Sequence, residues 1–255
     1  MVAGVALALG WAGFLLLDVV NPWGIRYSPF WQELTPFGFF FWYFREGGPV
    51  EVLQWSLLLI AVLGCIALAV RSTRLPSKPL VWVFRAGALG IIWMLAEDAT
   101  NIRHVISLEL TVPIFAPDGP MKNHVRTLTE LALYAVLGGI MVSFLLGVRR
   151  CAVRRGNAWR LLLGAYAFYG VAAVASATRY VGDWYEKVGG LFVPLLQPGV
   201  QTDYERVAPF VPEYGLGFWL MDWLVEESLE LMGAALLASA VLHLVSWAQL
   251  EPKSD

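Results

Sequence analysis

Four carboxylates in this 255-residue chain stand where a carboxylate is costly. Asp18, Glu97 and Asp98 close the C-terminal ends of apolar helical runs, and Glu230 lies a turn inside another. A helix C-terminus is the negative end of the helix dipole and disfavours an acid by roughly 0.3–1 kcal/mol. Each of these acids therefore needs a partner. Arg26 follows Asp18, and Arg103 follows Glu97 and Asp98, so local ion pairs are expected. Arg179 holds the matching place after a later helix without an acid of its own; Glu230, or Glu97 from another hairpin, is its expected partner. Two kinds of chemistry suit these residue types. The charges could clamp helix ends together, or they could build a polar site in which a carboxylate holds a proton or a cation. Ionisable groups within or bordering a membrane span are functional-site candidates because burying them is expensive.

A second set of acids is expected to open helices: Glu51, Glu130, Glu226 and Glu227. A carboxylate there satisfies unpaired backbone N–H groups, and Thr127-Leu-Thr-Glu130 matches the capping-box pattern. Glu230 lies about one turn beyond Glu226 and near the face of Glu227. Three such acids repel unless they meet cations, share protons or are solvated. His104 is close enough in sequence to Glu97 and Asp98 to work as a general acid or base with either. His124 shares a loop with Lys122 and Arg126, and His243 reads as structural. Neither the three histidines nor Cys65 and Cys151 have metal or haem spacing, so no metal is assigned and any cofactor stays unknown. The acid–base candidates are Glu97, Asp98, His104, Glu227 and Glu230. The ligand-binding candidates are Asp18, Asn101, Arg103, Glu130, Arg179 and Glu226.

These residues must be positioned by helices that cross a bilayer. The chain is 58% hydrophobic and 15% charged, outside the range of soluble domains at about 45–50% and 25%. Six apolar runs, near 2–20, 51–70, 80–99, 128–148, 158–178 and 217–247, approach or exceed the length of about 20 residues that spans hydrocarbon. The first lacks the basic leader and cleavage site of a signal peptide and reads as a retained span. The aromatic segment 28–44, with Pro29 and Pro36, is expected to lie in the interface. Arg71, Arg74, Lys78 and Arg85 follow span two, and Arg149, Arg150, Arg154, Arg155 and Arg160 follow span four, with no acid among them. The positive-inside rule places both loops, and with them both termini, in the cytoplasm, as in a bacterial inner membrane. All the acids but Glu251 and Asp255 then fall on the outer side. Tyr27, Tyr180, Trp184, Tyr185, Trp219 and Trp223 form an outer aromatic belt, or the entrance for a lipid-soluble ligand. Gly138, Gly139, Gly164, Gly170 and Gly233 are expected to let helices pack closely.

The expected fold is an all-α polytopic bundle of six transmembrane helices in a single domain. Asp18-Val-Val-Asn21 followed by Ile25-Arg26-Tyr27 resembles Asp98-Ala-Thr-Asn101 followed by Ile102-Arg103-His104, and Thr178-Arg179-Tyr180 keeps part of the pattern. Three repeated two-helix hairpins, near 1–75, 76–155 and 156–250, would explain that. Three function classes follow: binding or transport of a cation, proton or small polar or lipid-soluble ligand; a small membrane enzyme with Glu/Asp acid–base chemistry on a lipid-like substrate; or an accessory subunit of a membrane complex. The expected partners are the bilayer, such a ligand, and a membrane protein or a second copy of the chain. No basic tail or stripe suggests nucleic acid.

Overall fold

The computed structural model describes residues 1–35, 38–73, 78–115, 121–150, 158–207 and 214–250. Every regular element among them is helical. The long elements are α1 (Val2–Gly13), α4 (Pro49–Ser72), α5 (Lys78–Thr100), α8 (Lys122–Arg150), α9 (Ala158–Thr178) and α13 (Glu227–Leu250). The short ones are α2 (Pro29–Leu34), α3 (Phe39–Phe44), α6 (Ile102–Val105), α7 (Val112–Phe115), α10 (Trp184–Gly190), α11 (Pro198–Val207) and α12 (Leu216–Trp219). Three wide-wound π segments extend these helices: Phe14–Val20 after α1, Ile106–Thr111 after α6 and Leu220–Glu226 between α12 and α13. Six stretches are long and apolar enough to cross a membrane, namely Val2–Val20, Phe39–Ser72, Leu80–Thr100, Lys122–Arg150, Ala158–Thr178 and Leu216–Ser246. Leu59, Ile60, Leu63, Val136, Val142, Val171 and Val174 lie exposed on them. Lipid is the solvent that accepts so apolar a surface. The chain fits a multi-pass membrane protein.

The chain forms two compact units. One comprises Met1–Leu53 and Thr178–Met232. Here α3 packs on α1 because Gly10 and Gly13 leave room for aromatic rings; a Cβ at Gly13 would stand 2.3 Å from the Phe39 ring. Phe39, Phe40 and Phe44 are buried as a result. The aromatic run expected to float in the interface is thus packing material for α1. Gly189 of α10 meets Gly217 of α12 so closely that a Cβ at Gly189 would lie 1.8 Å from the Gly217 carbonyl oxygen. The Glu186 carboxylate accepts the Gly217 and Phe218 amides at 3.2 and 2.8 Å, capping α12.

The other unit comprises Gln54–Ala177 and Gly233–Asp255, and its core includes Leu58, Cys65, Ile91, Phe144, Leu162, Leu237 and Val241. Contacts of Gly87 with Phe144, Gly90 with Met141 and Gly147 with Val83 run α5 and α8 antiparallel at close range. Gly233 faces Tyr169 and Gly164 faces Leu236, as expected of them. A Cβ at Gly138, Gly139 or Gly170 would meet nothing within 4 Å among the described residues, so these three do not bring helices into close contact there. Cys65 is buried, and Cys151 lies outside the described residues.

Two expected helix starts are corrected. The helix α8 begins at Lys122, so Thr127 and Glu130 lie inside it and form no capping box. The last span begins at Leu216, which puts Glu226 and Glu227 in its interior. In α8, polar side chains interrupt the apolar run and make the helix look shorter than it is, whereas the last span has its expected extent and only the opening at Glu226 and Glu227 changes. Glu51 does sit in the first turn of α4, where it accepts the Gly47 amide.

Candidate functional site

In the first unit the site is built from the end of α9, the start of α10 and the π segment 220–226. Arg179 follows α9 directly and is buried, with Nη1 2.7 Å from Asp222 Oδ1 and the guanidinium 4.9 Å from the Tyr180 ring centre. The Tyr185 hydroxyl, on α10, lies 3.0 Å from the same Asp222 oxygen and also contacts Glu226 Oε2. Tyr185, Asp222 and Glu226 are 1%, 8% and 6% exposed, so their charges are sealed from bulk solvent. Positions 222, 226 and 230 fall on one helix face, and Asp222, Glu230 and Arg179 all act electrostatically on Glu226. Burial opposes the charge on Arg179, yet Asp222, Tyr180, Glu226 and Tyr185 outweigh it and hold the guanidinium pKa well above its usual value. Burial, then the charges of Glu226 and Asp222, push the Tyr185 phenol well above the ordinary tyrosine range despite Arg179. Wide-wound turns recur at functional sites because the extra residue re-aims side chains, and this one turns two acids towards one tyrosine.

Asp18 is fully buried in the π segment after α1. It accepts the Phe39 and Phe40 amides at 2.9 and 2.8 Å and lies 2.6 Å from Arg26 Nη1. The other amino group of Arg26 reaches Asp203 on α11 at 2.7 Å. Asn21 stands in the left-handed region (φ 44°), and its Oδ1 accepts the Arg26 amide at 2.9 Å. This constellation is saturated with donors, as a structural clamp requires.

In the second unit Glu130 is the centre. Its Oε1 lies 3.1 Å from His104 Nδ1, 3.2 Å from Ser107 Oγ and 3.3 Å from Arg126 Nε. Arg103 Nε stands 3.2 Å from Glu97 and 3.8 Å from Glu130 Oε2, with its guanidinium over the Tyr134 ring at 4.5 Å. Asn101 turns the chain at φ 50°, which aims α6 back at α8. Asp98 accepts from Gln54 Nε2 and Trp55 Nε1 at 2.9 and 2.8 Å.

The structure thus joins Arg103, His104, Glu97 and Glu130, and separately Arg179 and Glu226. Arg26 and Arg103 take their expected acids, Asp18 and Glu97. Arg179 pairs with Asp222, an acid the sequence reading did not offer it. His104 meets Glu130, a partner beyond the expected Glu97 and Asp98. Glu227 is buried and Glu230 half-buried. Asp222, Tyr185, Arg126, Ser107 and Asp203 were missed; for Asp222 the spacing 222, 226, 230 was the available signal. His124 is exposed. Among the described residues, no three His, Cys, Asp or Glu side chains are placed to hold a metal ion. No protein-family model, curated protein or solved structure matches the chain.

Proposed function

We propose that this multi-pass membrane protein binds and releases a proton at Glu226, and that the site serves transport of the proton or of a small polar solute coupled to it. The observation that carries this reading is the Tyr185 hydroxyl within reach of both Asp222 and Glu226. A phenol has one proton to donate, and a guanidinium has no lone pair to accept one. Two carboxylate oxygens around one hydroxyl are satisfied only if one of the acids brings a proton. Asp222 faces the Arg179 guanidinium at 2.7 Å and serves as its counter-charge. Glu226 therefore carries the proton and donates it to the Tyr185 oxygen, while the phenol donates to Asp222. Arg179, Asp222, Tyr185 and Glu226 then hold one positive and one negative charge between them, the balance a low-dielectric setting favours. Release of the Glu226 proton leaves an uncompensated buried anion, which draws in a new proton or a cation.

The reading keeps the acids on the outer side of a bacterial inner membrane, with both termini in the cytoplasm. Its test is proton flux into proteoliposomes under an imposed potential, read with an internal pH dye. The wild-type protein should pass protons and E226Q should not. Equal flux in both, or none in either, would overturn the transport reading.

A further inference from the structure

The Glu130 cluster offers a buried donor with nothing to bind. Arg103 is 7% exposed, and its Nη1 has no hydrogen-bond partner among the described residues. A buried guanidinium nitrogen left in this state calls for a water or an ion. Its neighbours indicate which. Arg103 Nη2 lies 3.3 Å from His104 Nε2. Because arginine only donates, Nε2 must accept, and His104 must carry its proton on Nδ1, where it donates to Glu130. His104 is thus neutral, with its basic nitrogen aimed at the guanidinium edge.

Arg103 on α6 and Glu130 on α8 face the imidazole, with Arg126 on α8 and Glu97 on α5 around them; Asp98, held by Gln54 and Trp55, is the next acid on α5. Glu109, on the π segment, is exposed. With a neutral imidazole, Arg103 and Arg126 balance Glu97 and Glu130. An incoming anion breaks that balance by one charge, and His104 is the group able to restore it. We infer that Arg103 and His104 form a binding site for a phosphate group. The phosphate oxygens take the Nη1 and Nη2 donors of Arg103, His104 Nε2 loses its donor, gains a proton and becomes a third donor to the same phosphate. A tetrahedral oxyanion accepts donors from such different directions, and a guanidinium and an imidazolium both favour it. Glu130, bound to Nδ1, stabilises the imidazolium. The proton at Glu226 is not needed for any of this.

The test is calorimetric titration of the purified full-length protein with inorganic phosphate, in two buffers of different ionisation enthalpy. A second arm uses nanodiscs containing phosphatidic acid against phosphatidylcholine alone. The expected result is saturable binding with net proton uptake in the first arm, the second, or both, the arm showing whether the phosphate is free or a lipid headgroup. Arg103→Gln should weaken it at least about tenfold, the scale of a lost charged hydrogen bond. His104→Gln, which leaves Arg103 in place and guards against misfolding of the first variant, should still bind but without proton uptake. No saturable binding in either arm means Arg103 holds only water, and overturns the inference. So does binding unchanged in Arg103→Gln, or proton uptake unchanged in His104→Gln.

Discussion

Asp222 and Glu226 differ by one methylene and touch the same tyrosine, yet neutralising them should have opposite consequences. Asp222→Asn strips the counter-charge from Arg179, whose Nη1 lies 2.7 Å away and whose side chain is 8% exposed. Removing one partner of a buried pair costs about 3–5 kcal/mol because the other charge is left uncompensated. The slight exposure of both groups favours the lower figure, which still multiplies the unfolded population by on the order of a hundred. Glu226→Gln replaces a protonated carboxyl by an amide of the same shape. Its Nε2 donates to the Tyr185 oxygen as the carboxyl O–H did, so the cost should stay within about 1 kcal/mol, one ordinary hydrogen bond. Reversible unfolding in mixed micelles, followed by tryptophan fluorescence, measures both. The reasoning fails if Glu226→Gln costs as much as Asp222→Asn, or if Asp222→Asn is silent. A silent Asp222→Asn would place the proton on Asp222.

Three further outcomes follow from other contacts. Gly189→Ala should destabilise at or above the upper end of the roughly 1–3 kcal/mol range for overpacking, since the new Cβ meets Gly217 backbone and no side chain that could move; the same unfolding assay checks it. Asp18→Asn should cost several times more than Asp203→Asn, because Asp18 is fully buried and accepts two backbone amides whereas the Asp203 side chain is 24% exposed; comparable losses would contradict the clamp. The raised Tyr185 pKa gives stability that is fully present below the unfolded phenol's pKa near 10. Above it the unfolded state loses a proton the folded state keeps, so stability should fall by about 1.4 kcal/mol per pH unit until the folded phenol ionises. Tyr185→Phe should show a shallower fall over that alkaline range.

Much of the helical framework was legible because lipid solvation writes itself into composition. All six spans were readable from apolar runs, and their errors share one cause. Glu130, Glu226 and Glu227 read as helix ends in the sequence because charge usually marks water, whereas in the fold partners on other helices make burial tolerable. Arg26, Arg103 and Arg179 were correctly singled out, since an acid at a helix C-terminus asks for a cation nearby. Which acid answers Arg179 depended on the π winding at Leu220–Glu226, and one extra residue per turn leaves no mark in hydropathy. Tyr185 was read as part of an aromatic belt. Its hydroxyl partners are more than 35 positions away, beyond any periodicity that sequence alone displays.

The proton at Glu226 is the centre of the account, and infrared difference spectroscopy of the reconstituted protein sees it directly. A pH increase that deprotonates the site should remove the carbonyl stretch of one buried carboxylic acid in the wild type. That band should be absent from Glu226→Gln. A band that persists in Glu226→Gln, or a wild-type protein that shows none, would contradict the placement of the proton.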